Sequence, residues 1–153
     1  MNVGYNLAVI SLRSRMPLHL LKMCVGINDL DHLRAVRKAR RATQPDCLVR
    51  TRNLPKRADE VLDGGSIYWV IKGYVRARQR ILEISSEQGE DGQTRCALHL
   101  DHEIVATGLQ PRKPFQGWRY LEAADAPPDA AADDGAYDFP PEMARELREL
   151  GLL

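Results

Sequence analysis

The run GGSIYWVIKGYVRARQRILEI, from Gly64 to Ile84, limits the possible folds more than any other stretch. Gly64-Gly65 reads as a turn. After it Ile67, Trp69 and Ile71 alternate with Tyr68, Val70 and Lys72. Both sets are rich in β-branched or aromatic residues, which fits a strand covered on at least part of both faces. Gly73 interrupts the pattern, as a bulge, a bend or a close backbone approach would. Beyond it Val75, Ala77, Gln79 and Ile81 alternate with Arg76, Arg78 and Arg80. Period-two geometry puts the three arginines on one face at a spacing of about 6–7 Å, close to the phosphate repeat of an extended nucleic-acid strand. Two readings stand: an anion-binding strip, or a solvated face whose arginines pair with carboxylates on a neighbouring strand.

The chain of 153 residues is long enough for one domain with a sizeable core and tails. Its three cysteines, Cys24, Cys47 and Cys96, are widely spaced and form no CxxC or Cys/His pattern. Neither a disulfide framework nor a zinc site is indicated, and a reduced, cytoplasmic compartment is expected. No apolar run reaches membrane-spanning length, and the first residues do not read as a signal peptide. No cofactor is implied. The net charge of +1 conceals an asymmetry: residues 1–119 carry 20 Lys+Arg against 12 Asp+Glu, residues 120–153 carry 2 against 9. A basic body with an acidic tail suggests a polyanion partner, for which the tail could compete.

Residues 1–15 read as a dispensable or disordered extension, with the folded unit starting near Met16-Pro17. LHLLKMCVGI alternates as a strand, and His19 reads as a strand-face residue rather than a ligand. Asn28 or Asp29 then caps a helix to about Ala42. Leu30, Leu33 and Val36 form its apolar stripe, and Arg34, Arg37, Lys38, Arg40 and Arg41 cover much of the rest. Cations late in a helix suit its dipole; a nucleic-acid-facing helix is the alternative. CLVRTRN reads as a short strand. Pro55 and Gly64 bracket a helix of two turns at most, with Lys56 and Arg57 at its N-terminus, where the dipole disfavours them. Asp91-Gly92 is a hairpin signal, and TRCALHLD returns as a strand. Ile104 and Val105 end the sheet, and QPRKPFQGW reads as an irregular loop that combines Arg112, Lys113 and Arg119 with Phe115 and Trp118. Basic residues interleaved with aromatics can hold single-stranded nucleic acid, although aromatics in such a loop also serve to plug a core edge.

MPLHLLKMCVG, TRNLPKRADEVLDGGSIYWVIKGYVRARQRI and FQGWRYL followed by DAPPD carry a resemblance to the alphaproteobacterial domain of unknown function 1489 family, from about Met16 to Asp129. The resemblance implies an alphaproteobacterial-type, cytoplasmic protein. It implies no activity and transfers no site residues. The order of short helix, Gly-Gly turn, broken strand and basic return strand is similar in layout to small RNA-binding β-barrels of the PUA and ASCH type, an analogy of fold alone.

The expected fold is α+β: a mostly antiparallel, curled or barrel-like sheet of five to six strands with one main packed helix, a short helix and a C-terminal helix. The domain spans 16–121, an acidic Pro/Ala-rich linker 122–138, and the terminal helix 139–153. The expected core includes Leu21, Val25, Leu33, Val49, Leu62, Ile67, Trp69, Ile71, Ile81, Leu98 and Leu100. The leading functional expectation is non-catalytic binding of RNA or another polyanion. Lys72, Arg76, Arg78 and Arg80 would contact phosphates, helped by Arg52, Lys56, Arg57 and Arg119, with Phe115 or Trp118 stacking on a base. The alternatives are a protein-interaction module that uses the terminal helix, and a small hydrolase or transferase acting on an anionic substrate through His99, Asp101 and Glu103. No metal site and no membrane contact are expected.

Overall fold

The computed structural model describes residues 16–130. The expected N-terminal extension, the linker beyond residue 130 and the terminal helix lie outside them. Seven strands and two helices follow in the order β1 (Leu18–Met23), α1 (Leu30–Arg41), β2 (Cys47–Thr51), α2 (Ala58–Leu62), β3 (Ser66–Ile71), β4 (Tyr74–Gln88), β5 (Thr94–Leu100), β6 (Val105–Pro111) and β7 (Trp118–Glu122). A 3-10 turn at Ala123–Asp125 comes last. The sheet is open, in the order β2-β5-β4-β3-β1-β7, with β6 also on β4. Only β1–β3 is parallel; the other pairings are antiparallel. The class is therefore α+β and mostly antiparallel as expected. The sheet has seven strands rather than five or six and is open rather than barrel-like, with β4 taking part in three ladders. The first half of β4 lies between β3 and β6, and its second half bends away to pair with β5.

The organising run is a hairpin rather than one interrupted strand. Ile71 pairs with Tyr74, and Lys72 and Gly73 between them have φ of 51° and 85°. Two consecutive positive φ values make the tight turn that matches the twist of antiparallel strands. At its other end, Gly65 donates to Val61 O at 2.8 Å and closes α2. A side chain at Gly65 would run into the carbonyl oxygens of Leu18 and Val61, so the second glycine of the pair is needed for close packing.

β3 is buried along its whole length. On one face Ile67, Trp69 and Ile71 join Leu20, Ala77, Ile81, Leu98 and Leu100, and Leu30 and Leu33 of α1 close over them. Tyr68 and Val70, on the other face, pack with Leu21, Val75 and Leu121. Three expected core positions are corrected, among them Val49 of β2, which is only partly buried. Val25 is 89% exposed, because β1 stops at Met23 and the chain turns through Gly26. Leu62 is only partly buried, and the fully buried residue of α2 is its neighbour Val61.

The α1 N-terminus forms as the sequence predicts. Asp29 accepts from His32 N at 2.7 Å, and His32 Nδ1 accepts from Asn28 N at 3.0 Å. Such a cap stabilises a helix by about 1 kcal/mol. The irregular loop expected over 110–118 is present at residues 112–117, but Gln110 and Pro111 belong to β6 and Trp118 opens β7, so the sheet does not end at Val105. Residues 123–130, expected within a linker, are held along β6. Gly108 donates to Pro128 O and Ala130 to Ala106 O, both at 2.8 Å.

Candidate nucleic-acid interface

The arginines of β4 do not form a continuous strip. Val70 pairs with Val75 but Trp69 pairs with Ala77, so Arg76 is the extra residue of a bulge and is only 1% exposed. Arg78 is engaged by Asp129 through two bonds of 2.7 and 2.8 Å and also donates to Ser66 Oγ. That bidentate contact holds the Asp129 carboxyl below the usual carboxylate range. Arg80 is exposed, and Lys72 sits in the hairpin turn.

The other expected residues gather elsewhere. Arg57 binds Glu60 at 2.6 and 2.8 Å, reaches Glu122 at 3.5 Å and lies over the Tyr120 ring. Its unfavourable place at the α2 N-terminus is thus offset within the chain. Arg119 lies over Phe115, 5.4 Å from the ring centroid. Arg52 and Lys56 are exposed beside the Asn53 carbonyl, which accepts from Trp118 Nε1 at 2.8 Å. The structure therefore brings Arg52, Lys56, Arg57 and Trp118 together, and leaves Arg78 and Arg80 apart from them.

A different set converges on one sheet face. In register, Lys22 of β1 is the partner of Trp69 on β3 and of Trp118 on β7. Partners across neighbouring strands share a face, so a cation stands between two tryptophans, each one strand away. Gln79 fixes the Trp69 ring from below: it accepts from Nε1 at 3.0 Å and donates to Asp101 O at 2.8 Å. Over Trp69 lies the Arg37 guanidinium, 5.5 Å from the ring centroid, a contact worth about 0.5–2 kcal/mol. Arg37 Nε is buried and, among the described residues, has no hydrogen-bond acceptor.

Arg37 also lines three adjoining depressions. The largest described of these is a groove of about 290 Å³ between the end of β1, α1 and β2. Lys22, Arg37, Arg40 and Arg50 line it together with aliphatic side chains, and no carboxylate does. Arg50 is held by Glu87 at 2.9 Å. Among the described residues, Lys22, Arg34, Arg37, Lys38, Arg40 and Arg41 form no ion pair, whereas Arg50, Arg57, Arg78 and Arg95 do. Cys24 borders the groove too, but burial pushes its thiol up to about 11 against the pull of Arg37, Lys22 and Arg40. It is a protonated wall rather than a nucleophile.

Among the described residues no hydrogen bond joins the side chains of His99, Asp101 and Glu103 to one another. His99 Nε2 lies 3.1 Å from Ser85 Oγ, and the Asp101 carboxylate accepts from Glu103 N at 2.9 Å and so closes a turn. None of them lines the groove. Among the described residues no cluster of His, Cys, Asp or Glu could hold a metal ion, and no helix is long and apolar enough to cross a membrane. The sequence alone does not place Lys22 beside Trp69 and Trp118, and it offers the α1 arginines only as an alternative. The available signal was the helix itself, which carries five cations in twelve residues and a narrow apolar stripe.

No curated protein and no solved structure matches this chain. One family does, over residues 20–153, so the match continues through the acidic C-terminal part beyond the boundary expected at Asp129. The chain belongs to the family described as protein of unknown function, DUF1489.

Proposed function

We propose that the protein binds RNA without catalysis, through the face formed by α1, Lys22 and the two tryptophans rather than through β4. One observation carries the reading. Lys22, Arg37 and Arg40 lack ion pairs among the described residues and line one groove, beside a row in which Lys22 lies between Trp69 and Trp118. Cations supply phosphate affinity, and adjacent aromatic or planar groups supply contact with bases. Ordinary helix electrostatics accounts for Arg40 and Arg41 in the last turn. Arg34 is held by the Ile104 carbonyl at 3.2 Å. Neither explanation accounts for the fixed position of Arg37 over Trp69.

The test starts from protein purified at low salt. Nuclease-sensitive RNA should accompany the parent and be missing from the Arg40→Glu/Arg41→Glu variant. Both positions are exposed, so the variant should still fold, while its two carboxylates oppose the dipole of the last turn at a cost of about 1–2 kcal/mol. Added RNA should bind the variant at least about tenfold more weakly, since two phosphate contacts turn repulsive. Equal binding by parent and variant would refute the reading.

A further inference from the structure

The groove beside α1 is more than a charged surface. Its volume of about 290 Å³ is near the lower end of small-ligand sites. Its walls include Val36 of α1, Leu48 and Val49 of β2, and Ile27 of the β1–α1 loop, while its cations lie around them. A phosphate alone would leave that aliphatic wall unfilled. Paired bases in a duplex are stacked away from such a wall, and an RNA duplex offers a protein mainly phosphates and sugar hydroxyls. An unpaired nucleotide offers both kinds of surface, an anionic phosphate and a flat, largely apolar base.

From this we infer that the groove is a slot for one unpaired nucleotide of single-stranded RNA. Its base lies against the Val36, Leu48 and Val49 walls, and its phosphate lies among Lys22, Arg37 and Arg40. Arg37 suits this place because the Trp69 ring already fixes its guanidinium, so little side-chain freedom remains to be lost on binding. The neighbouring nucleotide would reach Trp118, on the far side of Lys22 from Trp69 and about 10 Å away by strand spacing. The inference rests on the RNA-binding reading and adds the strandedness of the ligand.

The test compares oligouridylate with the duplex it forms with oligoadenylate, at one salt concentration. The parent should bind the single strand about tenfold more tightly, the amount one well-seated base supplies. Val36→Phe, which fills the groove without altering charge, should remove that preference and leave duplex binding unchanged. Equal affinity for the two forms, or a preference that survives Val36→Phe, overturns the slot while RNA binding stands. Failure to bind either form overturns both readings. A second measurement needs no variant: uridine 5′-monophosphate titrated into isotope-labelled protein should shift the amides of residues 24–27 and 48–50. Shifts confined to β4 or to the β4–β5 hairpin would place the ligand elsewhere and sink the slot.

Discussion

His19 lies where β1 meets the start of β3. Its Nδ1 accepts the Ser66 N–H at 3.0 Å, and its ring meets Tyr68 edge-on at 4.8 Å. An accepting Nδ1 leaves the proton of the neutral ring on Nε2. Burial, and then the charge of Arg78, lower its pKa from 6.5 to about 4. The unfolded chain therefore binds a proton more readily than the folded one between those values. The stability held by the neutral ring is fully present above 6.5 and is lost as pH falls toward about 4. Asparagine at this position offers an acceptor oxygen and never gains charge. Thermal melting across this window should fall more steeply for the parent than for His19→Asn. Equal slopes, or a His19 resonance that titrates near 6.5, would show that the ring is not held neutral.

The β3–β4 hairpin places a lysine where the backbone favours a different residue. Lys72 has φ of 51°, in the left-handed region, at the first position of a turn that prefers asparagine or glycine. Lys72→Asn should therefore stabilise the protein by about 0.5–1 kcal/mol, measured by denaturant midpoint at unchanged slope. A neutral or destabilising result would mean that the lysine side chain does more for the folded state than the turn costs. The same turn explains part of what the sequence concealed. Gly73 signalled a break, but Lys-Gly is not among the strongest hairpin signals, so a reversal was indistinguishable from a bulge. A bulge does lie three residues later at Arg76, a second register shift follows between Ile81 and Glu83, and no glycine marks either. Patterns set by local chemistry were legible: the Asp29 cap, the α1 stripe of Leu30 and Leu33, and the Gly64-Gly65 closure of α2. β6 was not, because Gln110-Pro111 reads as loop until β4 supplies an edge to pair with.

At the scale of the whole molecule, the sheet divides the positive charge in two. Ala77 and Ile81 of β4 face the core beneath α1, so Arg78 and Arg80 lie on the opposite face from Arg37 and Arg40. Sequence spacing could group cations along one strand, but not across β1, β3, β7 and a helix, which meet only through register. Trp118 was legible as part of a basic-aromatic stretch; its neighbour Lys22, 96 positions away, was not. This division makes the salt dependence of binding diagnostic. Single-strand binding loses affinity with salt at a logarithmic slope of about −0.7 per phosphate neutralised. Contacts by Lys22, Arg37 and Arg40 alone predict a slope of about −2, and recruitment of Arg34, Lys38 and Arg41 as well predicts about −4. Arg40→Ala should make the slope shallower by about 0.7. Arg80→Ala, on the far face, should leave both slope and affinity unchanged. If Arg80→Ala instead flattens the slope and Arg40→Ala does not, the RNA lies across β4, and the convergence of charge on Arg37 belongs to the packing of α1 over Trp69.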